Sequence, residues 1–311
     1  MSEPPPPTNA APASASPAAA QAPAALLTWP EFLGRTRPAP DHVIRYGDHE
    51  RQVVDLYLPT GGGPHPVVVM IHGGCWSAPW DRTLMNHASD DLRKRGIAVW
   101  NIDYRVIGEG GGYPGTFADT AAATDALRQH AASFRLSLRP LVAVGHSAGG
   151  HLALWLAARR AVKERPENLL IPSRSPIRGA DPLPLTGVVS LGGLPDLELA
   201  ATPPGSGCGT EVIEKLVGPP TMSSRNVYAD TSIPRLAPLG IPQVLINGLS
   251  DRIIPNHFAE DYAQKMRVQG DDVRVRMIPN TGHIELIAPE SAAWAAAVQE
   301  IERALGIRNL R

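Results

Sequence analysis

The sequence predicts an α/β fold: a mostly parallel central sheet with helices on both faces and a short lid-like insertion. Two observations predict it. Short apolar runs alternate with helical stretches along most of the chain. Several of these runs are continuous rather than alternating, such as Val67-Val68-Val69-Met70-Ile71, which suits a strand buried on both faces of a parallel sheet. With 43% apolar and 19% charged residues in 311, a packed core is within reach and wholesale disorder is excluded.

The elements follow in order. Residues 1–27 read as a disordered or polyproline-like tail. The first 25 hold seven Pro, ten Ala and a single charge, Glu3, too few large apolar groups to offset the entropy of ordering. Residues 28–311 read as one domain. Residues 42–46 and 53–59 suit two opening strands, and 66–72 a third. Residues 83–95 suit a helix ended by Gly96, 97–102 a strand, 117–134 an Ala-rich helix, and 141–144 a strand. A helix is expected at 148–160, with Leu152, Trp155 and Leu156 on one face. Strands are expected at 188–191, 244–247 and 273–278, and helices at 256–268 and 289–305. Between about 195 and 239 the rhythm breaks into Pro- and Gly-rich sequence with one helical stretch at 212–217. A connection this long suits an insertion over a functional site.

Composition also bounds the partners. Lys plus Arg is 29 and Asp plus Glu is 30, so no basic excess exists for nucleic acid or an anionic membrane. No basic start precedes an apolar block of signal-peptide type, and no run reaches the ~18 apolar residues of a membrane span. A cytoplasmic setting is the expectation. The two cysteines, Cys75 and Cys208, are too few for a disulfide framework or a four-thiolate zinc site. No cofactor or metal is expected: His72 has no second ligand at metal-binding spacing. Gly61-Gly62-Gly63 precedes a strand and reads as a turn. Gly108-Glu109-Gly110-Gly111-Gly112 lacks the phosphate-loop Lys-Ser/Thr and reads as a mobile loop near the site.

The sharpest signal is Gly145-His146-Ser147-Ala148-Gly149, between a strand and a helix. A strand-to-helix turn this tight forces its central residue into an unfavourable backbone region and needs glycine beside it. Ser147 is the candidate nucleophile. A serine hydroxyl needs a base, and His283, in the loop after the strand at 273–278, is placed to reach it. His257 lies in a predicted helix, and His146 and His151 flank the serine without facing its hydroxyl. Asp251, after the strand at 244–247, is the candidate orienting acid, with Asp196 as its rival and an N-cap as its alternative role. The chain order is Ser, Asp, His, with gaps of 104 and 32 residues. Backbone N–H groups of Gly73, Gly74 and Ala148 are candidates for an oxyanion hole. Trp76 and His146 are candidates for the substrate pocket. Cys75 has no base and is not expected to act as a nucleophile.

From about residue 40 to the end the chain resembles the α/β-hydrolase superfamily, and within it the small serine-esterase and kynurenine-formamidase-like branch. His72-Gly73-Gly74-Cys75-Trp76, Asp103-Tyr104-Arg105, Gly145 to His151, Asp251 and Gly282-His283 carry the resemblance. It implies a cofactor-free serine hydrolase acting on small to medium carboxylic esters through an acyl-enzyme. An aryl formamide such as N-formylkynurenine is the alternative substrate, and a non-catalytic binder on the same fold the alternative class. It also implies structural roles for Asp103 and Arg105.

Overall fold

The structure is a computed structural model that describes residues 25–163, 177, 181–222 and 224–307. The expected tail lies outside the described residues up to position 24. From Ala25 the chain is placed, and the Leu27 N–H donates to Glu285 Oε1 at 2.5 Å.

Among the described residues eight strands form one sheet: β1 (His42–Arg45), β2 (Val53–Tyr57), β3 (His65–Ile71), β4 (Ala98–Ile102), β5 (Leu136–His146), β6 (Gly187–Leu191), β7 (Gln243–Gly248) and β8 (Val273–Ile278). Their spatial order is β1-β2-β4-β3-β5-β6-β7-β8. β2 runs antiparallel to β1 and β4, and every later pairing is parallel. The apolar run of β3 explains its central place. Val67, Val69 and Ile71 point into one core, Val68 and Met70 into the other, as the two-residue period of a strand requires.

Among the described residues the helices are α1 (Trp29–Leu33), α2 (Asn86–Lys94), α3 (Gly115–His130), α4 (Ala148–Ala158), α5 (Leu197–Ala200), α6 (Thr210–Val217), α7 (His257–Val268) and α8 (Ala292–Ala304). α3, α4 and α7 cover one face through Phe117, Leu152, Trp155, Phe258 and Tyr262. α1, α2 and α8 cover the other through Phe32, Leu92, Trp294 and Ile301.

Three local departures from the sequence reading have physical causes. The stretch at 83–95 opens as a 3₁₀ turn, Arg82–Met85, because Asp81 caps it by accepting the Thr83 N–H at 2.8 Å. β5 begins at Leu136, five residues before the apolar run. Its first half is partly exposed and carries Ser137, Arg139 and Pro140, which hide it from hydropathy. α4 is not one-faced: ten of its eleven residues are buried. Residues 230 and 231 cover its second side, where Trp155 Nε1–H donates to Asp230 O at 2.9 Å and His151 Nε2–H to Thr231 O at 2.8 Å. The glycine loop at 108–112 is a bonded turn. The N–H groups of Glu109 and Gly111 both donate to Val106 O at 2.9 Å, and that of Gly112 donates to Thr116 Oγ1 at 3.0 Å.

Candidate active site

At the end of β5 the chain reverses into α4 with Ser147 at φ 55 and ψ −120. A side chain at Gly145 would put its Cβ 2.0 Å from Gly149 O, and one at Gly149 would meet Ile71 O at 2.2 Å. Neither position admits a Cβ, so the turn depends on both glycines. The Ser147 N–H is fixed to Leu191 O at 2.8 Å. Its hydroxyl makes no hydrogen bond to another protein atom among the described residues, and the residue is 2% exposed.

Asp251 and His283 meet. His283 Nδ1–H donates to Asp251 Oδ2 at 2.6 Å, and both residues are buried. This contact fixes the tautomer that leaves Nε2 bare. The other carboxylate oxygen, Oδ1, accepts the N–H groups of Ile253 and Ile254 at 2.8 and 2.9 Å. Asp251 thus caps its own loop and also holds the imidazole, while α7 starts only at His257.

Two contacts bring this pair to the elbow. A Cβ on Gly192, the residue after Leu191, would lie 3.2 Å from His283 Nδ1 and Cε1. His146, the residue before Ser147, donates its Nε2–H to His283 O at 3.1 Å, with the two rings 4.5 Å apart. Burial pushes the His146 imidazole well below its usual range, and the neighbouring His283 pushes it further. His146 is neutral and buried behind the elbow, where it supports the His283 loop rather than lining a pocket.

The rival acid is occupied elsewhere. Asp196 caps α5 through the N–H groups of Glu198 and Leu199 and pairs with Lys265 Nζ at 2.6 Å. It borders a groove of about 640 Å³ that shares no residue with the elbow.

The loop after β3 crosses over Ser147. A Cβ at Gly73 would stand 2.9 Å from Ser147 Cβ and 2.8 Å from His146 O. The N–H groups of Gly73 and Gly74 donate to no backbone acceptor among the described residues. Gly74, Cys75 and Trp76 follow with φ of 103, 50 and 53. His72 braces the loop from below. Its Nε2–H donates to Asp103 Oδ1 at 3.1 Å, its Nδ1 lies 2.7 Å from Gly73 O, and its ring stacks on Tyr104. Both ring nitrogens are engaged, which leaves none for a metal. Burial would raise the Asp103 carboxyl, but hydrogen bonds from His72 and the Tyr104 N–H, with the Arg51 charge, hold it below the usual carboxylate range. Arg105 grips Asp119 with two bonds of 2.7 and 2.8 Å.

Trp76 is a correction. It is fully buried, with its ring edge-on to His151 at 5.5 Å, and has no exposed surface with which to wall a pocket. Sequence reasoning also missed the disulfide that joins Cys75 to Cys208 across 133 residues; two isolated cysteines carry no local pairing signal. Glu285 was missed as well. It accepts the N–H groups of Gly282 and Leu27 and so ties the His283 loop to the start of the described chain.

The sequence model of the BD-FAE family matches residues 54–266. The chain is 27% identical over 248 residues to Esterase LipC of Mycobacterium tuberculosis (strain ATCC 25618 / H37Rv), covering 77% of this chain and 58% of that protein. It is 32% identical over 128 residues to the probable isoprenylcysteine alpha-carbonyl methylesterase ICMEL1 of Arabidopsis thaliana, covering 40% of this chain and 26% of that one. The chain therefore spans less than two thirds of the length of these relatives. Among solved structures, a truncated form of a carbohydrate esterase from gut microbiota superposes with a TM-score of 0.70 at 17% identity, over 87% of this chain and 98% of that one. Esterase B from Lactobacillus Rhamnosis (HN001) does so with a TM-score of 0.70 at 19% identity, over 88% of each chain. These likenesses show the α/β-hydrolase fold. No helix among the described residues is long and apolar enough to cross a membrane.

Proposed function

The chain belongs to the BD-FAE family, and from that premise we propose that it is a serine hydrolase cleaving small to medium carboxylic esters through an acyl-enzyme. The observation that carries the reading is the Asp251–His283 hydrogen bond of 2.6 Å, held against the elbow by His146 and Gly192. The naming of the matched relatives as esterases supports an ester over a formamide.

In this reading Ser147 Oγ attacks the ester carbonyl carbon while His283 Nε2 takes its proton. Asp251 keeps the ring in the required tautomer and stabilises the imidazolium. The N–H groups of Gly73, Gly74 and Ala148 bind the developing oxyanion, each worth about 3 kcal/mol in the transition state. His283 then protonates the leaving alcohol. Water, deprotonated by the same nitrogen, releases the acid and restores Ser147.

The Cys75–Cys208 bond favours an oxidising compartment over the cytoplasmic setting expected from the sequence, because cytosolic thiols are kept reduced. Substrate class is tested by comparing p-nitrophenyl esters of two to eight carbons with N-formylkynurenine. Ester turnover that disappears in Ser147→Ala is expected. A much larger kcat/KM for the formamide overturns the ester assignment, and absence of turnover on either class favours the non-catalytic binder.

A further inference from the structure

Cys75 and Cys208 are the chain's only cysteines, and the bond between them falls at a particular place. Cys75 follows Gly73 and Gly74 directly. It is the middle of three successive residues with positive φ, of which only Gly74 is suited to it. Cys75 and Trp76, at φ 50 and 53, each hold a left-handed conformation that L-residues rarely adopt. Such a conformation persists only when the surroundings impose it.

Cys208 lies at the other end, in a tight turn of the insertion. The Gly209 N–H donates to Ser206 O at 3.0 Å, and the Cys208 N–H to Ser206 Oγ at 3.3 Å. The residue between, Gly207, donates its N–H to Ile253 O at 2.7 Å. It approaches so closely that a Cβ there would lie 3.0 Å from Ile253 Cα. The Ile253 N–H in turn donates to Asp251 Oδ1 at 2.8 Å. One short turn of the insertion is thus bonded covalently to the loop of the proposed oxyanion donors and by hydrogen bond to the loop of the proposed acid.

We propose that the Cys75–Cys208 disulfide is a positioning cross-link of the active site, holding the Gly73 and Gly74 N–H groups aimed at Ser147 by anchoring their loop to the turn that braces Asp251. This rests on the serine-hydrolase reading above. Neither cysteine touches substrate; both act through the donors they hold. Oxyanion donors act mainly in the transition state, so their misplacement lowers kcat more than it raises KM. The Asp251–His283 hydrogen bond involves neither cysteine, so releasing the cross-link frees the donor loop while leaving that pair joined.

A dithiol tests this on the intact protein. Dithiothreitol transfers two electrons and two protons to the disulfide, giving two thiols and its own cyclic disulfide. Cys75 is partly exposed, so the bond is within reach of the reagent. The assay uses p-nitrophenyl acetate well below the unfolding temperature, with free thiols counted to verify complete reduction and circular dichroism to verify the fold. The expected result is a kcat lower by about tenfold to a hundredfold, with KM changed by less than about threefold. Reoxidation with diamide should restore kcat. Cys208→Ser should start at the reduced value and ignore dithiothreitol. Full kcat after complete reduction overturns the proposal, as does a lower melting temperature with unchanged kcat, because the bond would then stabilise without positioning. A parallel fluorophosphonate reaction separates the two levels of inference. If the oxidised protein takes no label, the serine-hydrolase reading itself fails. If oxidised and reduced forms label at the same rate, only the positioning role fails.

Discussion

Asp251 divides its carboxylate between two tasks. One oxygen accepts the Ile253 and Ile254 N–H groups, and the other holds His283 Nδ1. Asp251→Asn should keep the first task in part and reverse the second, since the amide can present its NH₂ and force the imidazole into the wrong tautomer. We expect kcat to fall by about 10³–10⁴ with the fold retained, measured by ester hydrolysis alongside circular dichroism. An Asp251→Asn enzyme within tenfold of wild type would remove Asp251 from the mechanism and reopen the role of the acid. Glu285 is a quieter case. Its two oxygens bond the Gly282 and Leu27 N–H groups, so Glu285→Ala should free the residue before His283 and lower kcat several-fold, with KM little changed. The Ser147 turn and the meeting of Asp251 with His283 were legible in the sequence because each residue stands in the loop that follows a strand. Glu285 and His146 were not legible in these roles, because their contacts span 258 and 137 residues and no local pattern encodes such a distance.

The elbow shows how elements constrain one another. Gly149 lies in the first turn of α4, and its Cα faces the end of β3, where Ile71 O would be 2.2 Å from any Cβ. Gly149→Ala should force α4 away from the sheet. The expected loss is about 2–3 kcal/mol of stability, seen as a lower denaturant midpoint with an unchanged slope. A neutral result would mean that the strand and helix are not packed as tightly as described. The strands with continuous apolar runs, β3, β4 and β7, were legible nearly to their ends. α1 was not: it is five residues long and follows directly on the Pro- and Ala-rich stretch. The all-round burial of α4 was also hidden. It depends on residues 230 and 231 arriving on its second face, a tertiary event that helix periodicity cannot report.

At the scale of the molecule, buried histidines set a pH limit. His151 is fully buried against Trp76 and Phe117, and burial pushes its imidazole down to about 4, against the hydrogen bond to Thr231 O. The unfolded chain binds a proton near the ordinary pKa of about 6.5, whereas the folded chain resists until about 4. Between those values the unfolded state holds more protons, so stability falls as pH drops through the window. His146 acts in the same direction. Denaturant melts from pH 7 to pH 4 should show this loss, roughly 3 kcal/mol for His151 alone. His151→Gln should flatten the profile while keeping a donor for Thr231 O. A profile unchanged by that substitution would mean that the group titrates normally in the fold. The mostly parallel sheet with helices on both faces followed from the alternation of elements, whereas its strand order depends on long-range pairing that no local pattern encodes. The disulfide that ties Cys208 to the loop after β3 was not legible, because pairing depends on where two distant turns come to lie.

A crystal structure of the protein trapped with a covalent phosphonate tests the proposed mechanism most directly. The expected result has phosphorus bonded to Ser147 Oγ and the phosphoryl oxygen within about 3.1 Å of the N–H groups of Gly73, Gly74 and Ala148. His283 Nε2 should stand within about 3.2 Å of Ser147 Oγ. Attachment at another residue, or an imidazole more than about 6 Å from that oxygen, would contradict it.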